Sequence, residues 1–196
     1  MSRVSITSEI QRFLKSRIRH GDIVIDATLG NGHDALFLAN TIGDSGHLFG
    51  FDIQAVAVDN SSQKLRTHGC EDRATFFKQS HTQMAQLIPD DLHGRISCIM
   101  FNLGYLPGAD KSVTTAIDST IPALIQSCQL LTKHGLISVL AYTGHPGGMD
   151  EYCAIKQWAE SLDTGHYNVS IQNLLPDHNL PPRWILIEKS DATNAL

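Results

Sequence analysis

No two cysteines of this chain sit at a chemically meaningful spacing. Cys70, Cys98, Cys128 and Cys153 are scattered singly, without a C-x-x-C pair. That excludes a disulfide framework or a thiolate metal knuckle and points to reduced thiols in the cytoplasm, with Cys98 and Cys128 in the core. Long apolar runs are missing as well. None approaches the roughly 20 residues that span a bilayer, and Met1-Ser2-Arg3-Val4-Ser5 leads into a polar segment rather than a secretory signal. Positive charge is scarce: 15 Lys and Arg against 20 Asp and Glu leave a net charge of −5. This argues against a generally basic nucleic-acid binder but not against a local basic surface, since phosphate contacts need only a few well-placed cations. Internal repeats, low-complexity tracts and linkers are also absent. The 196 residues suffice for one domain with a sizeable core, residues 1–196, of which 1–21 form an N-terminal helical extension.

What is present concentrates in Asp26-Ala27-Thr28-Leu29-Gly30-Asn31-Gly32-His33 and, about twenty residues on, Phe51-Asp52-Ile53-Gln54. The β-branched run Ile23-Val24-Ile25 reads as a buried parallel strand. Two glycines then open the chain, residues 34–39 favour a helix, and a second strand, 47–51, ends beside an acid. A glycine turn lets backbone approach a ligand, and the helix start directs free N–H groups at it. An acid at the end of the second strand accepts the two hydroxyl hydrogens of a ribose. The three features together describe a nucleoside-cofactor site. A third glycine at the packing position is lacking, with Ala35 the nearest small residue, which counts against a nicotinamide dehydrogenase. The order Asp-x-x-x-Gly-x-Gly instead resembles the first motif of Rossmann-like S-adenosylmethionine methyltransferases.

Along the chain, residues 8–19 pattern as an amphipathic helix. Ile10, Phe13, Leu14 and Ile18 share one face, and Arg12, Lys15 and Arg19 the other. Two readings stand for it: a cap on the sheet edge, or a basic flank touching RNA phosphates. Further helices are expected at 54–65, 116–132 (with Pro122 imposing a kink or a late start) and 151–162, with Trp158 on the buried face. Strands are expected at 74–79, 95–101 and 136–142, and a closing antiparallel pair at 167–174 and 184–189. Ser80 and His81 follow the third strand, where a doubly wound sheet places ligands; His81 either bonds an adenine or caps the next helix. The fourth strand runs into Asn102-Leu103-Gly104-Tyr105. This resembles the Asn/Asp-Pro-Pro-Tyr/Phe loop of amino-methyltransferases, without its prolines. There a side-chain amide and a backbone carbonyl accept hydrogens from the target amine, and an aromatic ring stacks on the base. The glycine-rich loop 143–148 falls on the same sheet edge.

Taken together, residues 26–34, 101–111, 142–148 and 181–189 resemble a small bacterial family labelled rRNA methylases, whose characterised members resemble the MnmM-type tRNA methyltransferase. The likeness covers nearly the whole chain. It implies a Rossmann-like α/β fold with a seven-stranded, mostly parallel sheet and helices on both faces. It further implies S-adenosylmethionine as donor and the anticodon stem-loop of tRNA as partner. The implied reaction is N-methylation of wobble 5-aminomethyl-2-thiouridine to 5-methylaminomethyl-2-thiouridine. By the same resemblance Asp26, Gly30, Asn31, Gly32, Asp52, Gln54 and His81 line the donor site, and Asn102, Gly104 and Tyr105 the methyl-transfer site. Tyr142, His145, Arg183 and Trp184 match family motifs and are assigned loosely to RNA. No metal is implied. Tyr105, Tyr142 and Trp184 are the candidates for stacking on an unstacked wobble base. Other RNA acceptors, a non-catalytic nucleotide-binding role and homodimerisation stay open at this point.

Overall fold

A computed structural model describes residues 5–106, 108, 114–172 and 182–190. The buried strand expected after Gly21-Asp22 is β1, Ile23–Asp26. It lies inside a seven-stranded sheet with β2 (His47–Phe51), β3 (Ala74–Phe77), the central β4 (Ile96–Leu103), β5 (Leu131–Ala141), β6 (Tyr167–Gln172) and β7 (Arg183–Lys189), in the order β3-β2-β1-β4-β5-β7-β6. The strands β1 to β5 pair in parallel, and β7 runs antiparallel to both β5 and β6. The order reverses at β1, so a crevice opens between the carboxyl ends of β1 and β4, the place where such sheets bind ligands.

The central strands are apolar on both faces because helices cover both. Val24, Leu48, Cys98, Met100, Leu136 and Leu140 meet α1 (Ile6–Lys15), α2 (His33–Ile42) and α3 (Ala55–Thr67). Ile25, Phe49, Phe51, Ile99, Phe101 and Val139 instead face the short α4 (Met84–Leu87), α5 (Ile117–Leu130) and α6 (Gly148–Glu160). Alternation along each strand sends neighbours into opposite layers. Gly32 allows α2 and α3 to approach: at φ +71° it stands where an added Cβ would lie 2.7 Å from Ser61 Cα.

Several element bounds depart from the sequence pattern. Helix α1 starts two residues earlier than expected, because the Ser5 hydroxyl accepts the Ser8 amide at 3.1 Å, and it ends at Lys15, so Ile18 and Arg19 fall in the following turn. It lies on the sheet face rather than its edge, burying Ile10 and Leu14 and setting Phe13 edge-on to Trp184 at 5.5 Å. Pro122 sits inside α5, where it withholds one N–H from the helix. Strand β5 begins at Leu131, opposite Ile96, and the register resumes only at Leu136 opposite Cys98; the extra residues bulge out, with His134 at φ +61°. Strand β4 continues through Asn102 and Leu103, which pair with Leu140 and Ala141. Cys98 is fully buried as expected, but Cys128 is only half-buried. Trp158 is partly buried against the core. The expected strand residues 173 and 174, the connector up to residue 181, and residues 107 and 109–113 of the loop after β4 lie outside the described residues.

Candidate active site

A cavity of about 640 Å³ occupies the crevice at the carboxyl ends of β1, β2, β4 and β5. Its walls divide into a donor half and an acceptor half. The donor half is organised by Asp52, just beyond β2. One carboxylate oxygen accepts the Gly30 amide at 3.1 Å and the other the Gln54 amide at 2.9 Å. The side chain therefore bridges the glycine turn and the start of α3, holding its oxygens at the cavity wall. Gly30, Asn31 and Gln54 line the same wall. Gly32 does not; it is the residue before α2 and serves the close α2–α3 packing. Asp26 lies beneath the floor, fully buried. Its Oδ1 accepts the Thr28 amide at 3.1 Å, and its Oδ2 has no hydrogen-bond partner. Burial, reinforced by the Asp34 carboxylate, pushes its pKa up to about 8.

His81 is only 8% exposed and lines the cavity. Its Nδ1 lies 3.2 Å from the Ala27 carbonyl oxygen. A carbonyl only accepts, so Nδ1 carries the hydrogen and Nε2 is left as a bare acceptor, buried and without a protein partner. Burial lowers its pKa and keeps the ring neutral. The next helical turn is capped not by His81 but by Ser80, whose hydroxyl accepts the Thr82 amide at 3.2 Å. Gln79, which sequence reasoning passed over, lines the cavity beside them.

The acceptor half begins with Asn102. Its amide N–H donates to Thr28 Oγ1 at 2.7 Å, and its side-chain Nδ2 donates to Asp34 Oδ2 at 2.5 Å. Gly104 follows at φ +150°, a conformation open to glycine. Its N–H donates to Thr115 Oγ1 at 2.9 Å, and its carbonyl accepts both the Thr115 N–H at 2.9 Å and the Thr114 hydroxyl at 3.0 Å. Both lone pairs of that carbonyl are thus spent inside the protein. The clamp is anchored by Glu151 of α6, 2% exposed, which accepts the Thr115 hydroxyl at 2.8 Å and the Thr120 hydroxyl at 2.6 Å. Tyr105, bridged to Thr114, meets His145 edge-on at 5.9 Å. Tyr105 and Tyr142 are the exposed aromatics of this half, 37% and 43% accessible. The Tyr142 hydroxyl partners the Thr7 side chain from α1.

Not every expected residue joins this group. Trp184 is 3% exposed and donates its indole N–H to Ser138 Oγ at 2.9 Å, so its ring is core and unavailable for stacking on a base. Arg183 stands off the cavity, its guanidinium 5.9 Å from the Tyr152 ring centroid. Arg12, Lys15 and Arg19 are exposed and stand off the cavity. The residues missed are polar ones whose partners are distant in sequence: Asp34, Gln11, Thr115 and Glu151. Only Asp34 carried a signal, as the last residue of the glycine motif. Among the described residues no helix is long and apolar enough to cross a membrane.

Comparison with known proteins adds independent findings. A family model described as "Putative rRNA methylase" matches residues 48–188. A chloroplastic tRNA (mnm(5)s(2)U34)-methyltransferase of Arabidopsis thaliana is 36% identical over 153 residues, 74% of this chain and 55% of that protein, so this chain spans about half the length of that curated relative. The structure of a "putative rRNA-methylase" from Clostridium thermocellum superposes with a TM-score of 0.90 at 34% identity, covering 96% of this chain and all of that one. A "putative methyltransferase" from Streptococcus mutans, solved in complex with SAH, gives a TM-score of 0.83 at 28% identity over 95% of this chain and 99% of that one.

Proposed function

The chain belongs to the rRNA methylase family, and from that premise we propose that it is an S-adenosylmethionine-dependent RNA methyltransferase acting on tRNA, with the aminomethyl group of wobble 5-aminomethyl-2-thiouridine as acceptor. The donor half fits such a cofactor. Asp52 presents two fixed carboxylate oxygens where ribose hydroxyls need acceptors, and His81 Nε2 is a buried acceptor lacking a partner, suited to an exocyclic amine. The cavity falls within the usual size for a small-molecule site. When bound, S-adenosylmethionine supplies a methyl group on a sulfonium, ready for displacement by a neutral amine.

The observation that carries the reading is Asn102. One N–H of its side-chain amide is held by Asp34, so the amide oxygen is the acceptor that the residue can offer the cavity, where it would accept an N–H from the amine. A free alkylamine is mostly protonated in neutral water, yet only the neutral form has a lone pair to attack with. The site favours that form by excluding water. Asn102 then aims the lone pair by holding an N–H, so that catalysis is largely positioning. The Gly104 carbonyl has no lone pair to contribute, which places the burden on the side chain. Tyr105 and Tyr142 at the mouth supply exposed faces for a splayed wobble base. The scattered single cysteines fit a cytoplasmic enzyme. The family description and the Clostridium structure favour rRNA as the competing acceptor.

Single-turnover methylation of tRNA carrying the aminomethyl group tests this. Asn102→Ala is expected to slow transfer about a hundred-fold while donor and tRNA affinities hold. The wild-type rate should rise with pH until the bound amine loses its proton. Asn102→Asp should not restore activity, because a carboxylate there favours the ammonium form and stands against Asp34. A wild-type rate in Asn102→Ala would remove this loop from the chemistry. Methyl incorporation into rRNA but not tRNA would move the acceptor.

A further inference from the structure

Asp34 lies in the first turn of α2, 8% exposed, at the edge of the cavity. Both of its carboxylate oxygens are engaged: Oδ1 accepts from Gln11 Nε2 at 2.6 Å, and Oδ2 from Asn102 Nδ2 at 2.5 Å. Three elements distant in sequence meet on this side chain: α1, α2 and the end of β4. We infer that Asp34 is a positioning residue, whose carboxylate locks the Asn102 amide with its oxygen toward the methyl acceptor; this rests on the role proposed for Asn102 above.

The argument is one of donors and acceptors. An asparagine amide can turn over, exchanging O for NH2, and the two orientations nearly match in shape. Facing a substrate amine, only one orientation is productive: the oxygen accepts an N–H, whereas the NH2 would donate to the lone pair needed for attack. A carboxylate is an acceptor only, so whichever amide atom meets Asp34 must be the nitrogen. The charge strengthens that bond and imposes a severe penalty on the reversed orientation, which would set two oxygens together. The Asn102 backbone is pinned independently, through its N–H to Thr28 Oγ1, so the side chain has little other freedom. Gln11 holds the second carboxylate oxygen and keeps Asp34 from swinging away, which makes the inner face of α1 part of the arrangement.

The role is separable from simple anchoring of α1 to α2. In Asp34→Ala the amide is free to turn over. In Asp34→Asn the new amide oxygen still accepts from Asn102 Nδ2, and its NH2 can donate to Gln11 once that side chain turns. The charge is lost but the lock is kept. The experiment combines three readouts on the full chain. The Asn102 side-chain N–H resonances of 15N-labelled protein, assigned by their absence in Asn102→Ala, report the lock without any turnover. They should keep their hydrogen-bonded shifts in wild type and Asp34→Asn and lose them in Asp34→Ala. Single-turnover methylation should fall about a hundred-fold in Asp34→Ala, stay within about five-fold in Asp34→Asn, and be no slower in Asp34→Ala/Asn102→Ala than in Asn102→Ala alone, as expected for groups acting as one unit. Donor affinity, measured with SAH by calorimetry, should be unchanged throughout.

The inference is overturned by multiplicative losses in the double variant, by a fall in donor affinity matching the fall in rate, or by unperturbed Asn102 resonances in Asp34→Ala. A slow Asn102→Ala with a fast Asp34→Ala removes the Asp34 role alone. A fast Asn102→Ala removes the reading of the loop itself. If Asp34→Ala fails to fold, an Asp34→Asn that folds yet loses both the resonance pattern and the rate is the overturning result.

Discussion

Asp52 holds backbone as well as ligand. Its two oxygens gather the Gly30 and Gln54 amides, so the carboxylate shapes the turn that any nucleoside would rest on. Asp52→Ala should therefore cost a charge-assisted ribose contact, about ten- to a hundred-fold in SAH affinity by calorimetry. Unchanged affinity would remove Asp52 from the donor site. Other residues were less legible. From sequence, His81 fits two roles, because either is open to an imidazole after a strand. The Ala27 carbonyl, 54 positions away, decides its tautomer, and Ser80 takes over the capping. Trp184 matched a motif and looked available for stacking, yet a bond to Ser138 and contact with Phe13 place it in the core. A motif match records that a residue is needed, not whether its side chain points to ligand or to packing.

Helix α1 shows the same division at the scale of an element. Its amphipathic pattern was visible, and the buried Ile10 and Leu14 follow it. What no periodicity could show is that its inner edge sends Thr7 and Gln11 to the cavity region, through Tyr142 and Asp34. Its outer face carries Arg12 and Lys15, with Arg19 in the turn beyond, all exposed. If these cations meet RNA phosphates, replacing all three by Gln should weaken tRNA binding and flatten its salt dependence by up to about three counterions. SAH affinity should stay constant, since none of the three lines the cavity. An unaltered salt slope would confine α1 to packing and to its inner polar contacts. The loop after β4 is likewise an element made by tertiary contacts, its Gly104 peptide clamped by Thr114 and Thr115 under Glu151.

Across the molecule, three carboxylates, Asp26, Asp34 and Asp52, converge around one cavity. The cost falls on Asp26. Its carboxyl ionises near 3.8 when unfolded but only at about 8 when folded, chiefly from burial and then from Asp34. Between those values the folded state holds a proton that the unfolded state has released. This contribution to stability is fully present below the lower value and is lost as pH rises through the window. Asp26→Asn cannot ionise and keeps an oxygen for the Thr28 amide. Its melting temperature should gain on that of wild type as pH is raised from 5 to 8 across this window. A difference that does not change with pH would show that Asp26 titrates normally.

The sequence by itself determined the class of the sheet, the placing of the glycine turn and Asp52 at its carboxyl edge, and the position of the Asn102 loop. These follow from local causes: β-branched runs make buried strands, glycine opens a turn, and strand-end residues of a doubly wound sheet point to one edge. Only the tertiary structure decided which polar atoms are spent within the protein and which remain for a ligand. Asn102 Nδ2 is spent on Asp34, the Gly104 carbonyl on Thr114 and Thr115, and Trp184 on Ser138, whereas His81 Nε2 is left without a protein partner. The physical reason is that a hydrogen bond depends on distance and direction between groups brought together by the fold, as for Asn102 and Asp34, 68 positions apart along the chain.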